Sequence, residues 1–447
     1  MASLNPDAVL ESPPSFRGPG RGLSVQVAAA QPIWPLVCIL YASLLPSEVH
    51  VLLGGQYLYA PRILSILLLP WILIHLLRGT FRVHLADAGV LLGCAWMVLS
   101  FAVYYGTVAD TMRAVAIVFD MAIPYLLARM SITSFFDLRR TLILFAPGIF
   151  IAGALLVVES ISHTAIVKPL ASAIFGNLPQ FESGGVVAAS RDYEGFRFGL
   201  LRASGGFPHP ILAGLYLVSS LTIYAMSRLR GWPMFAGIAA GLTAFFTVSS
   251  TAFLSFFLFL IFMIYDRIQR ITSFLSWRRF MLITGIPLFV LQFGSKNGVI
   301  AILGRYALDP QTAFYRKLIW QYGTQSVFKH PWFGIGFTSY ERLPWMVESI
   351  DNYWLLLAVR HGFLAPVLIL CTVIPTIWLL AMRGIRRSED DRMLSVGLAS
   401  SLFMMTLLVF TVAIFGGFTA WFYSVLGLSL SAALSPIKPD LTHGRSR

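Results

Sequence analysis

Apolar residues run along this chain in blocks of about 20, the helix length that crosses a bilayer, separated by short polar turns. The blocks fall at roughly 32–50, 61–78, 86–105, 111–129, 141–160, 210–227, 232–249, 251–266, 280–294, 357–382, 393–415 and 418–434. They predict an all-α fold, a polytopic transmembrane helix bundle of about twelve spans. The first, eighth and ninth blocks are short or broken, which blurs their ends. Between 232 and 266 a hairpin competes with one long tilted segment, and Ser249, Ser250 and Thr251 favour the turn. Two long polar stretches, 160–209 and 295–351, interrupt the pattern. Residues 1–30 are rich in Pro, Gly and Ser and show no secretory cleavage pattern, so they read as a retained, disordered cytoplasmic tail. The expected organisation is that tail, one transmembrane domain over 31–434 and a second cytoplasmic tail over 435–447.

Lys and Arg in the loops set the orientation. With the N-terminus inside, 20 of the 33 basic residues fall in cytoplasmic segments, among them Arg78 and Arg82, Arg139 and Arg140, Arg228 and Arg230, Arg278 and Arg279, and Arg386 and Arg387. Both termini are then cytoplasmic. Ten more lie in the two long loops on the outer side. They are Lys168, Arg191, Arg197 and Arg202 in the first, and Lys296, Arg305, Arg316, Lys317, Lys329 and Arg342 in the second. Long loops partly escape the positive-inside rule, so these cations leave the topology standing. They require a reason, either ordinary solvated surface or an anionic ligand.

Composition narrows the class. The chain is 57% hydrophobic and 12% charged, against about 25% charged in a soluble domain. A net charge of +13 does not here indicate nucleic acid, because the basic residues sit in short inter-helix loops. Cys38, Cys94 and Cys371 lie inside apolar runs, with neither a disulfide framework nor metal-site spacing. No metal-ligand, P-loop or dinucleotide fingerprint occurs, so no cofactor or metal is expected.

The chemistry-bearing residues cluster at the loop ends. Arg202 opens Arg-Ala-Ser-Gly-Gly-Phe-Pro-His-Pro, where Gly205, Gly206, Pro208 and Pro210 hold it near the membrane surface. An arginine there forks onto phosphate oxygens or snorkels to lipid head groups. Residues 313–328 read as an interfacial amphipathic helix with Arg316, Trp320 and Gly323 or Thr324 on one face, and with Trp320, Trp332 and Trp345 at the interface. Gly334-Ile335-Gly336 reads as a turn. Asp351 stands at the outer end of a helix, as a cap or as a general base. His361 is a packed polar residue or a second base. Asp120, near the centre of the fourth span, reads as the ion-pair partner of Arg113 or as part of a substrate path.

Three stretches in order resemble the O-antigen ligase and O-antigen polymerase superfamily of bacterial membrane glycosyltransferases. They are Arg202-x-x-Gly-Gly-Phe-x-His-Pro; Arg316 followed by His330-Pro331-x-x-Gly-x-Gly-Phe; and Asp351-Asn352-Tyr353 with Gly362. The resemblance implies an inner-membrane enzyme working at the periplasmic face. Its donor would be an undecaprenyl-diphosphate-linked oligosaccharide, and its acceptor a glycan or lipid A core. Membrane lipids and envelope polysaccharide assembly proteins would be its other partners. It implies diphosphate binding for Arg202 and Arg316 and a base at Asp351. Ligases of the family usually carry His at that position, so Asp351 favours a polymerase.

Lys317, Arg191, Arg197 and Arg305 are then further phosphate or sugar contacts, together with His330, Asn352 and Tyr353. A cavity facing the periplasm is expected under the second loop. A twelve-span transporter of an anionic or lipid-linked substrate is the main alternative, although two similar halves are not visible. A non-enzymatic partner in a polysaccharide assembly is the third reading.

Overall fold

The computed structural model describes residues 32–436 except 54–55, 80, 82, 179–194, 273–274, 296–297, 304–309 and 385–386. The fold is helical, apart from two small antiparallel hairpins, β1 (His50–Leu53) with β2 (Gln56–Tyr59) and β3 (Phe196–Arg197) with β4 (Leu200–Leu201). Among the described residues, eight helices are long and apolar enough to cross a membrane. They include α2 (Ala60–Leu77), α4 (Val108–Ser131), α5 (Phe135–Ser162) and α9 (Ser250–Gln269). The others are α3 (Ala88–Tyr105) with the short 3-10 turn before it, α14 (Leu364–Gly384), α15 (Glu389–Leu408) and α16 (Gly417–Leu434). The remaining apolar blocks form shorter or less apolar helices: α1 (Trp34–Ala42), α7 (Pro210–Ala225), α8 (Trp232–Leu242) and α10 (Trp277–Gly294).

Local chemistry explains the helix ends. Ser249 caps α9 by accepting from Ala252 N at 3.1 Å, which closes the turn after α8. Ser134 caps α5, and Ser388 caps α15 ahead of Glu389, Asp390 and Asp391, acidic residues suited to a helix N-terminus. The tenth apolar block breaks at Gly362 into α13 (Tyr353–His361) and α14. A Cβ at Gly362 would lie 1.7 Å from the Trp332 carbonyl oxygen, and its φ is +81°, so only glycine fits this crossing.

The core sits around α16, which is almost wholly enclosed by α4, α14 and α15. Trp421 stacks on Tyr216 of α7 at 4.5 Å, and its indole N–H donates to Ser219 at 2.8 Å. The ion pairs at one end join Arg139 to Asp391 at 2.9 Å, Arg228 to Asp390 at 3.0 Å and Arg392 to Asp266 at 3.0 Å. The segments at the other end include 43–48, 159–168, 202–209 and 416–417. There, Cβ atoms built on Gly206 and Gly417 would lie 2.5 Å from Leu44 O and 1.9 Å from Ser43 O.

Two expectations change. Asp120 pairs with Arg62, not Arg113: Arg62 Nε and Nη2 donate to it at 3.1 and 2.5 Å, and Tyr59 donates a further short hydrogen bond. Arg113 is taken by Asp110 on its own helix at 3.1 Å. The amphipathic helix is longer than expected, α12 (Pro310–Lys329), and it buries Arg316, Ile319, Gly323 and Ser326. It packs on α13 within a small core of Ile319, Ile335, Tyr340, Met346, Ile350 and Leu355. Trp320 joins that core, while Trp332 and Trp345 are exposed.

Arg62 and Asp120 are 8% and 6% exposed. Removing one partner strands a buried charge, which costs about 3–5 kcal/mol. Thermal unfolding in detergent should show that loss for Arg62→Met. Asp120→Asn in the same background should recover most of it, and Arg113→Met should be nearly neutral.

Candidate functional site

The site is built on Glu159, near the C-terminal end of α5 and 2% exposed. A buried carboxylate needs donors, and this one takes three backbone N–H groups. Oε1 accepts from Ile166 N at 2.9 Å and Val167 N at 2.8 Å, and Oε2 accepts from Gly205 N at 2.8 Å. The first two are the opening N–H groups of α6 (Val167–Phe175). The third fixes the Gly205-Gly206 turn that follows Arg202. Ser160 Oγ adds a bond to Leu201 O at 2.8 Å, and Ala203 N reaches Phe246 O at 3.4 Å. One carboxylate thus places both Lys168, in the first turn of α6, and Arg202.

His209 lies where these segments meet. It caps α7, with Pro210 as the first helical residue, and its Nδ1 accepts from Ile211 N at 3.0 Å. The neutral ring therefore carries its proton on Nε2. Burial, then Arg202, Lys168 and Arg316, hold the imidazole down to about 3, so it is uncharged at any physiological pH. Lys168 Nζ donates to Pro208 O at 3.0 Å.

Arg316 comes from the second loop, and α12 buries it to 7% exposure. Burial draws its pKa down, Arg197 adds to that effect, and Asp351 opposes it. Its Nε has no hydrogen-bond partner among the described residues. Burial raises the Asp351 carboxyl above the usual carboxylate range, against the pull of Arg316. Tyr340, whose hydroxyl is buried and likewise without a partner among the described residues, is pushed up to about 12 by burial, with Tyr315 and Asp351 contributing. Lys168, Arg202 and Arg316 thus all act on His209, and Arg197 and Asp351 act on Arg316. Such a site lowers its self-repulsion when an anion enters.

Of the expected residues, Arg197 and Asp351 lie within electrostatic reach of Arg316, and Arg202 and Arg316 within reach of His209. Lys317 and His330 are exposed on or just beyond α12. Asn352 is fully buried and caps α13, its Oδ1 accepting from Leu355 N at 3.1 Å. Tyr353 is buried against Tyr423, their hydroxyls 2.7 Å apart. Arg191 and Arg305 lie outside the described residues. His361 is fully buried, hydrogen-bonded to Ser100 at 2.9 Å and stacked on Phe101. Gly334-Ile335-Gly336 is a tie rather than a free turn: Ile335 N and Gly336 N donate to Val359 O and Arg360 O at 2.8 and 3.0 Å. Beneath the second loop runs a narrow crevice lined by Phe337, Tyr340, Glu348 and Arg360.

Sequence reasoning missed Glu159 and did not single out Lys168 among the ten outer-loop cations. A carboxylate at the end of an apolar run was the available signal for Glu159. A lysine in the first turn of α6, against the helix dipole, was the signal for Lys168.

Glu159→Gln replaces one acceptor oxygen with an amide that faces a backbone donor. An unsatisfied buried group costs about 1–3 kcal/mol. The variant should lose that much stability, and limited proteolysis should cut it faster within 195–209. Wild-type stability and protection would remove Glu159 from its organising role. No family model matches the chain, and no curated protein matches it.

Proposed function

We propose that this chain is a membrane glycosyltransferase that moves a glycan from an undecaprenyl-diphosphate-linked donor to a sugar hydroxyl. We read it as a polymerase of O-antigen or exopolysaccharide repeat units in preference to a ligase acting on lipid A core. The observation that carries the reading is that Glu159 fixes the segments bearing Lys168 and Arg202 beside His209, with the buried Arg316 also in electrostatic reach of His209 and Asp351 acting on Arg316. Each of the twelve apolar blocks contains a helix, eight of them long and apolar enough to span, which is compatible with a many-span bundle. The gathering of Arg139, Arg228 and Arg392 at the opposite end supports an inner-membrane orientation with both tails cytoplasmic. The cation cluster then faces the periplasm.

In the reaction, the acceptor hydroxyl oxygen attacks the anomeric carbon of the donor. The bond from that carbon to the diphosphate oxygen breaks, and the diphosphate leaves with the bonding pair. Arg202 and Arg316 stabilise its growing charge in a site that is already organised. Asp351 accepts the hydroxyl proton. Its raised pKa brings it closer to working pH and makes it a better base than an exposed aspartate. Arg197, within electrostatic reach of Arg316, adds positive charge for the phosphates.

The test uses Arg202→Ala, Arg316→Ala and Asp351→Asn in a deletion strain, with surface polysaccharide separated by size. Loss of a charge-stabilising donor costs about 10²–10³ in rate, and loss of a base about 10²–10⁴. Single repeat units should therefore replace long polymer in all three. Long chains left on the carrier lipid would indicate a ligase, and repeat units trapped at the cytoplasmic face a transporter. Normal polymer at matched protein level in all three variants contradicts the assignment. With purified enzyme, the rate should fall as pH drops through the raised pKa of Asp351, on an acid limb above about 4, the ordinary aspartate value. Asp351→Glu should keep a displaced limb.

A further inference from the structure

Glu48 lies in the turn after α1 and is 2% exposed. Its Oε2 is buried with no hydrogen-bond partner among the described residues. The turn packs tightly against the site: Ser47 Oγ and Pro208 Cγ lie 3.1 and 2.9 Å from a Cβ built on Gly416. Lys168 connects the two. Its ammonium is held by the Pro208 carbonyl at 3.0 Å, and it lies within electrostatic reach of both Glu48 and His209. A lysine in the first turn of α6 opposes the helix dipole, yet Glu159 fixes that turn in place. Lys168 therefore acts both on a buried carboxylate and on the imidazole that Arg202 and Arg316 also reach.

We propose that Lys168 is a third ligand of the donor's diphosphate and that Glu48 is the counter-ion it exchanges for the phosphate. The inference rests on the diphosphate reading above and adds a division of labour. Two arginines suffice for one phosphate group; the second phosphate requires Lys168. Glu48 attracts the ammonium at longer range while the Pro208 carbonyl holds it directly, and Glu48 competes for it once the donor binds. That competition keeps the spent carrier diphosphate from binding too tightly, so Glu48 favours release.

The experiment measures binding of farnesyl diphosphate and farnesyl phosphate to the full-length protein in nanodiscs, by tryptophan fluorescence. Wild type should prefer the diphosphate. Lys168→Met should weaken the diphosphate at least ten-fold and the monophosphate less than three-fold, while Lys168→Arg retains most of the preference. Glu48→Gln, neutral and of the same size, should tighten the diphosphate several-fold, an effect that a purely structural carboxylate would not produce. Should the methionine variant fail to fold, Lys168→Gln reads the same split. If Arg316→Ala abolishes diphosphate binding while Lys168→Met leaves it within two-fold, or if Glu48→Gln weakens it, this proposal is overturned and the diphosphate site stands. Failure of wild type to distinguish either phosphate from farnesol would overturn both.

Discussion

The three hydrogen bonds to Glu159 are the constraint on which the site depends. A carboxylate taken out of water must recover its solvation from fixed donors, and the donors that reach Glu159 belong to two different segments. Each segment carries one cation. The first turn of α6 brings Lys168, and the turn at Gly205 brings Arg202. Because the α5 helix fixes the carboxylate in turn, both cations are referenced to the same rigid element. The second loop completes the arrangement independently. The tie from Ile335 and Gly336 to the end of α13, together with the Ile319–Leu355 core, fixes α12, and Arg316 on it lies within electrostatic reach of His209.

Elsewhere, buried charge is matched. Arg62 and Tyr59 satisfy Asp120; Arg129 and Tyr125 satisfy Asp87; Arg270, Arg392 and Trp277 satisfy Asp266. These networks hold helices together and leave no chemistry unspent. Three groups on the outer segments are less complete. Arg316 has a buried Nε with no partner, Tyr340 a buried hydroxyl, and Glu48 a buried carboxylate oxygen, all among the described residues. Unpartnered buried atoms occur at the opposite end too, on Arg139 and Arg387, but there they belong to guanidinium groups already tied to a carboxylate or to carbonyls; an unpartnered carboxylate oxygen, phenol and guanidinium on neighbouring outer segments mark a candidate place for a ligand.

Much of the helical frame was legible because the apolar period and its breaks are local. Ser249 stopped a run at the position its side chain caps, and Pro210 began a helix where its lost N–H does not matter. Arg202 and Arg316 were legible for a different reason: each is followed by Gly and Pro that fix its segment. What local pattern does not encode is partner choice across the bundle. Arg113 lies two turns from Asp120, yet the partner is Arg62, brought in from α2 about 60 residues away. Glu48, Glu159 and Lys168 likewise meet only through packing. Asn352 and Tyr353 looked like site residues because they adjoin Asp351. In the fold they face the core, one as a cap and one as a hydroxyl partner of Tyr423.

The central claim is that the cations at the Glu159 end form one diphosphate site beside Asp351. It is tested most directly by electron cryomicroscopy of the full-length protein in nanodiscs with undecaprenyl diphosphate bound. The account predicts phosphate density within about 3 Å of the Arg202 and Arg316 guanidinium nitrogens, with the polyprenyl chain running into the surrounding membrane. Diphosphate density at the Asp266–Arg392 end, or density that touches neither arginine, would contradict it.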